Sequence, residues 1–314
     1  MVDNCSPTTN LRPHFEDVQA HYDLSDEFFG LFQDPSRTYS CAFFEHEDAT
    51  LEEAQMAKID LALGQLDLRP DMTLLDIGCG WGSAMKRAIE KYDVNVVGLT
   101  LSRNQCAFAT QLLDAVDSDR SRRVCLQGWE QFDEPVDRIV SIEAFEAFGK
   151  PRYSAFFKTV ERILPAGGRM VLETIFTHPP SYWPQHGIAI TMSDLRFMRF
   201  IAKEIFPGGQ VPAREDIVEH SRNAGLKLGA TKLMNPHYVR TLDIWTTNLQ
   251  EHRDDAIATT SEEVFERYRR YLTGCADFFR RGITEVAQFA FTKSDARAQY
   301  VQSRGDAAHS APQG

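Results

Sequence analysis

The chain has 314 residues, 43% of them hydrophobic, and a formal net charge of −11 from 45 acidic and 34 basic side chains. That length accommodates one large α/β domain with insertions or two smaller domains, with enough apolar residues for a core that needs no disulfide staples. The acidic excess gives no electrostatic reason to bind DNA or RNA, and no apolar run approaches the roughly 20 residues needed to cross a bilayer, so no nucleic-acid partner and no transmembrane segment are expected.

The first twenty residues carry Pro7, Pro13, Glu16 and Asp17 without an apolar signal core, which predicts a cytoplasmic protein. Six cysteines are scattered without Cys-x-x-Cys pairs, so free thiols and no metal site are expected. Thr50 and Glu53 have capping-box spacing, and Leu51, Ala54, Ile59, Leu63 and Leu66 recur with helical period, predicting a helix over 51–67. Pro70-Asp71 ends it. Residues 72–77 read as a short buried strand running into Asp76-Ile77-Gly78-Cys79-Gly80-Trp81-Gly82. Strands follow at 94–99, 123–127, 137–142 and 169–175, with helices at 103–116 and 152–164. This alternation predicts an α/β fold with a Rossmann-like, parallel doubly wound sheet. Ligands of such sheets sit beyond the carboxyl ends of the strands, where Gly78, Thr100, Trp129 and Glu143 fall.

After Ile175, Pro179, Pro180, Trp183 and Pro184 punctuate a loop before the amphipathic stretch 192–206, which predicts a helical lid inserted within about 176–225. A further helix, a strand at 226–234, helices at about 239–250 and 261–281 and a last strand at 285–292 complete the reading. The expected organisation is an N-terminal helical region over 1–71, a core over 72–293 and a small, polar, disordered tail over 294–314. Arg267, Arg269, Arg270, Arg280 and Arg281 form a basic cluster, open either to an acidic partner or simply to water.

Gly78, Gly80 and Gly82 follow Asp76 as Gly-x-Gly-x-Gly, and their missing side chains let backbone turn sharply and approach a ligand. A dinucleotide fingerprint needs its third glycine one place later and an acid at the end of the second strand, which here ends Val97-Gly98-Leu99-Thr100. The turn therefore fits S-adenosylmethionine better than NAD, leaving another nucleotide as the alternative. Trp129 and Glu130, after the third strand, offer a face and an acceptor for adenine.

Many separated matches extend this reading: Pro13-His14-Phe15, His21-Tyr22-Asp23, Thr38-Tyr39-Ser40-Cys41, Leu74 to Gly82, Gly98 to Ser102 with Asn104-Gln105, Gly128-Trp129-Glu130, Ser141 to Phe148, Ile205 to Gly209, His237-Tyr238 and Tyr271 to Cys275. On these residues the chain from Leu11 to Lys293 resembles the mycolic acid cyclopropane synthase family, whose members methylate double bonds of very long acyl chains. The resemblance implies that Tyr39, Ser40, Leu74, Leu75, Asp76, Ile77, Gly78, Cys79, Gly80, Trp81, Gly82, Thr100, Gln105, Trp129 and Glu130 contact S-adenosylmethionine. It implies a bicarbonate pocket formed by Cys41, Ile142, Glu146 and Tyr238, and Cys275 matches a cysteine assigned to the family's active site. The implied substrate is a long acyl chain on acyl carrier protein. The rival readings are methylation of a small polar metabolite and a silent cofactor-binding scaffold.

One departure bears on the product. Cyclopropane-forming relatives have Gly-Ala-Phe-Glu-His-Phe where this chain has Glu143-Ala144-Phe145-Glu146-Ala147-Phe148. Ala147 cannot hydrogen-bond an anion, so either bicarbonate is bound weakly or Glu143 reshapes the site with its own carboxylate. Glu143 also occurs in hydroxyl-forming relatives, and Glu143 with Ala147 and the run Gly187 to Phe197 resembles members that leave a methyl branch beside a trans alkene. The expected product is a methyl-branched alkene or an alcohol, with cyclopropane as the alternative.

Overall fold

The computed structural model describes residues 26–294. The motifs before Asp26, Tyr22 among them, and the tail after Ser294 lie outside the described residues. A seven-stranded sheet runs β3-β2-β1-β4-β5-β7-β6. Strands β1 (Thr73–Ile77), β2 (Asn95–Thr100), β3 (Arg122–Leu126), β4 (Arg138–Ile142) and β5 (Arg169–Thr177) are mutually parallel, as the alternation predicts.

Beyond β5 the sheet departs from the parallel expectation, because β7 (Thr284–Lys293) runs antiparallel between β5 and β6 (Leu226–Leu233). The helices before β7 do not carry the chain back across the sheet. β7 starts with Thr284 opposite Thr177, at the carboxyl end of β5, and can only run backwards from there.

Helices α1 (Asp26–Gly30), α2 (Leu51–Gly64), α3 (Ser83–Tyr92), α4 (Arg103–Asp114) and α5 (Tyr153–Ile163) accompany the parallel strands. The predicted capping box is present on α2: Thr50 Oγ1 accepts from Glu53 N–H while the Glu53 carboxylate accepts from Thr50 N–H. Alternate side chains of β1 divide the core: Leu74 packs with Ile59, Met85 and Val96 on one face, and Leu75 with Ile139, Phe156 and Phe289 on the other.

A third core lies over the carboxyl ends of the strands. It gathers Phe28 and Phe32 with residues of α7 (Met192–Phe200), α9 (Asn235–Glu251) and α11 (Glu262–Arg280), including Phe200, Trp245 and Tyr268. Helices α6 (Tyr182–Gln185), α8 (Arg214–Asn223) and α10 (Arg253–Thr259) complete the fold; α1, α6 and α10 are too short to leave a periodic pattern in the sequence.

The lid is not one helix over 192–206: α7 ends at Phe200 and continues as a wider π turn, Ile201–Ile205. Its orientation is fixed. Asp194 caps it at Thr191 and accepts a bidentate pair from Arg281 at 2.7 and 2.9 Å. Arg281 holds the Asp194 carboxyl well below the usual range. The Phe197 ring lies so close to Gly274 on α11 that any side chain there would collide with it.

Candidate active site

One cavity of about 680 Å³ opens beyond the carboxyl ends of the parallel strands, and one end of it meets the glycine turn. Gly78, Gly80 and Gly82 all have positive φ. A Cβ on Gly78 would collide with Ala144, one on Gly82 would press on Ala109 at 3.0 Å, and one on Gly80 would meet nothing within 4 Å. The first and third glycines therefore serve packing, whereas Gly80 leaves its backbone open to the cavity.

Tyr39, Ser40, Asp76, Ile77, Cys79, Trp81, Thr100, Gln105, Trp129 and Glu130 also line the cavity. Leu74, Leu75 and Gly82 do not join them: both leucine side chains are fully buried in the sheet cores, and Gly82 packs against Ala109. Thr100 Oγ1 donates to Gln105 Oε1 at 2.8 Å, which leaves the Gln105 amide as the donor at the end of β2, where a dinucleotide fold keeps an acid. Arg152, absent from the sequence reading, pairs with Glu130 at 2.7 Å. Trp129 serves both core and site, packing on Phe148 and Phe156 while its indole N–H has no partner.

Beneath this end lies a buried polar network. Lys58 Nζ donates to Ser40 Oγ at 2.6 Å and stands 3.9 Å from Glu173, both Lys58 and Glu173 being fully buried. Burial pushes Asp76 up to about 7, opposed by Lys58. Neither Lys58 nor Glu173 was singled out by motif, yet each carried a sign. Lys58 falls on the apolar stripe of α2 between Ala54 and Ala62, and Glu173 interrupts the buried run 170–174 of β5.

The far end of the cavity is lined by Phe197, Met198, Ile201, Phe206, Phe278 and Phe279, with Cys275, Tyr271 and Tyr238. Burial pushes the Cys275 thiol up to about 12, so it stands in the wall as a neutral thiol. The Cys41 side chain is fully buried and its thiol is likewise raised by burial; what it presents to the site is its backbone N–H.

Between the two ends stand Glu143 and Glu146. Glu143 has φ +48°, a left-handed conformation that costs a side-chain-bearing residue about 1–2 kcal/mol. Its carboxylate is held at both oxygens: Oε1 accepts Cys41 N–H at 2.8 Å and Oε2 accepts the Tyr238 hydroxyl at 2.6 Å. Burial, then the nearby Glu173 and Glu146 carboxylates, push its pKa well up. Glu173 Oε2 accepts from Gln288 at 2.8 Å, while its Oε1 has no hydrogen-bond partner, with Lys58 Nζ 3.9 Å away. Glu146 Oε1 accepts Ile175 N–H at 2.5 Å, its Oε2 has no partner, and burial pushes it up to about 7. Ile142 and Ala147 line the cavity beside them. The structure thus brings Glu143, Glu146, Ile142 and Tyr238 to one wall, with Cys41 acting through its main chain.

Known proteins share this arrangement of sequence and fold. The profile of the mycolic acid cyclopropane synthetase family matches residues 9–289. Cyclopropane mycolic acid synthase MmaA2 of Mycobacterium tuberculosis is 59% identical over 284 residues, 90% of this chain and 99% of that protein. Methoxy mycolic acid synthase MmaA3 of the same organism is 56% identical over 293 residues, 93% of this chain and all of that one. The crystal structure of cyclopropane synthase CmaA1 with SAH and CTAB superposes with a TM-score of 0.88 at 56% identity, covering 91% of this chain and 100% of that one. The chain belongs to the mycolic acid cyclopropane synthetase family and is an S-adenosylmethionine-dependent methyltransferase.

Proposed function

We propose that this member of the family methylates a double bond of a long, mycolic-acid-type acyl chain carried on acyl carrier protein. The main product is a methyl-branched alkene or an alcohol. The observation that carries the product assignment is the Glu143 carboxylate, fixed between Cys41 N–H and the Tyr238 hydroxyl. Those two residues belong to the set that the family resemblance assigns to a bicarbonate ion. Here a side chain already satisfies them, so neither donor is left free for a further anion.

The residues at the glycine turn fit the cofactor: the cradle beside Gly80 admits backbone contact, and Thr100, Gln105 and Glu130 supply polar groups around it. S-adenosylmethionine, when bound, supplies an electrophilic methyl group whose addition to an alkene carbon leaves a cation on the acyl chain. The apolar far end of the cavity excludes water and aligns the alkene. The faces of Tyr238 and Tyr271 offer π-density to the cation. Glu146, with one oxygen unpartnered and a pKa near neutrality, accepts the proton that the cation loses. Loss from a chain carbon restores an alkene beside the new branch; addition of one admitted water to the cation, with its extra proton passed to Glu146, gives the alcohol.

The apolar lining also separates this reading from methylation of a small polar metabolite, which calls for a hydrophilic pocket. Ring closure is the second reading, favoured by the 59% identity to the cyclopropane synthase MmaA2. Incubation with an unsaturated acyl chain on carrier protein and methyl-labelled S-adenosylmethionine, followed by NMR of the lipid, decides between them. Olefinic or carbinol signals are expected. Upfield cyclopropane protons as the dominant signal would overturn the product assignment, and absence of any labelled lipid the substrate assignment.

A further inference from the structure

The outward face of the lid presents Met192, Leu195, Arg196 and Arg199, spaced i, i+3, i+4 and i+7 on one stripe of α7, with the exposed Lys203 in the π turn that follows. Met192 is 68% and Leu195 47% exposed, both well beyond the exposure usual for such side chains on a folded surface. The three basic residues are exposed, and no ion pair involves them among the described residues. Of the acidic groups in the same segment, Asp194 is spent on Arg281, and Glu204 alone accompanies the stripe. The opposite side of the same segment, Phe197, Met198 and Ile201, is the cavity wall.

The basic cluster expected at 267–281 is not available in the same way. Arg267 pairs with Glu263, Arg269 with Glu266, Arg280 with Asp243, Arg281 with Asp194 and Asp277, and Arg270 lies over the Phe200 ring at 4.1 Å. In a chain of net charge −11, three unpaired cations stand on a segment that also exposes Met192 and Leu195 and lines the apolar cavity with its other side.

We propose that this face of the lid docks on an anionic lipid bilayer. Met192 and Leu195 enter the boundary between headgroups and acyl chains, while Arg196, Arg199 and Lys203 reach the lipid phosphates with their stems along the apolar layer. An acidic carrier protein would satisfy the three cations but gives no reason for Met192 and Leu195 to stand out into water. A bilayer satisfies both, and it places the cavity, whose rim includes the exposed Ala202 and Val211, beside a medium that a long acyl chain can leave without crossing water. The inference rests on the long-chain reading of the cavity, but binding can be measured without any reaction.

The test is co-sedimentation of the whole protein with phosphatidylcholine vesicles and with vesicles that also contain phosphatidylglycerol. Binding is expected only with the anionic lipid and should weaken as salt is raised. Because each basic residue near such a surface contributes several-fold to partitioning, Arg196→Glu with Arg199→Glu should lower it at least about tenfold. Met192→Ser with Leu195→Ser should lower it as well, while Arg123→Glu on β3 should not. Calorimetry with S-adenosylmethionine checks that each variant is folded. No binding above the phosphatidylcholine level, or binding untouched by both lid variants, would overturn the proposal. So would vesicles left unbound while the charge-reversed lid loses affinity for an acyl carrier protein, which would give the face to the carrier. Vesicle binding with no methylated lipid formed would instead leave this inference standing and overturn the substrate reading.

Discussion

The Tyr238 hydroxyl donates to Glu143 Oε2 at 2.6 Å, joining α9 to the loop after β4 across a sequence separation of 95 residues. The bond holds the carboxylate against the strain of its left-handed backbone. Tyr238→Phe removes this donor and leaves the Cys41 N–H alone to hold it. An intramolecular hydrogen bond contributes about 0.5–1.5 kcal/mol net, so turnover should fall roughly 2- to 10-fold. S-adenosylmethionine affinity, measured by calorimetry, should stay within about threefold; an equal loss in both would make Tyr238 part of the scaffold.

Glu146→Gln tests the proton acceptor. With its pKa raised to about 7 by burial, Glu146 becomes a carboxylate as pH rises through neutrality, and turnover should rise with it. The amide cannot accept the proton, so kcat should drop by about 10²- to 10⁴-fold and its dependence on pH near 7 should flatten. A variant that keeps the wild-type pH profile would remove Glu146 from the chemistry.

Gly80→Val addresses the cofactor cradle. An added Cβ meets no protein atom within 4 Å, so the side chain enters the cavity, and a branched residue is forced to φ +53°. Binding of S-adenosylmethionine should be lost in a protein that still unfolds cooperatively. Near-normal affinity in calorimetry would move the cofactor away from this turn.

Asp76 gives a stability signature. Its folded pKa is raised from 3.8 to about 7, so the folded state binds the proton more tightly than the unfolded chain. The resulting stabilisation is complete below about pH 4 and is lost as pH rises through about 7. Relative to Asp76→Asn, the cofactor-free wild type should lose stability across this window, by at most about 1.4 kcal/mol per pH unit. Denaturant unfolding of both proteins across the window measures the difference. Glu146 has the same sign, so the variant should retain a shallower slope; parallel curves would mean that Asp76 titrates normally.

The parts of this site that were legible in the sequence are those where backbone geometry or periodicity forces residue type. Glycines at positive φ mark the turn before α3, alternating apolar runs mark the parallel strands, and Thr50 with Glu53 marks the start of α2. The antiparallel β7 was not legible, because strand direction depends on where α11 ends in space. The partners that complete the site lie far along the chain: Arg152 reaches Glu130 from 22 residues away, and Gln288 reaches Glu173 from 115. No local pattern encodes such pairs. Glu143 was visible as a departure from the cyclopropane-forming pattern, but its left-handed backbone, a conformation that suits glycine, appears only in three dimensions.

That backbone makes Glu143→Gly the sharpest test of product control. Glycine relieves the positive φ, so folding stability should hold or rise by about 1 kcal/mol, and a loss of activity could not be blamed on unfolding. The same change frees Cys41 N–H and the Tyr238 hydroxyl, reopening an anion site with the competing carboxyl group removed. If Glu143 is what replaces bicarbonate, the variant should turn over only when bicarbonate is supplied, and its products should shift toward the ring. Adding Ala147→His, which puts a hydrogen-bonding side chain on the same cavity wall, should move the balance further. NMR of the labelled lipid with and without added bicarbonate reads both effects. A Glu143→Gly enzyme that makes the wild-type product at the wild-type rate, indifferent to bicarbonate, would show that the carboxylate is structural and that the fate of the cation is set elsewhere in the cavity.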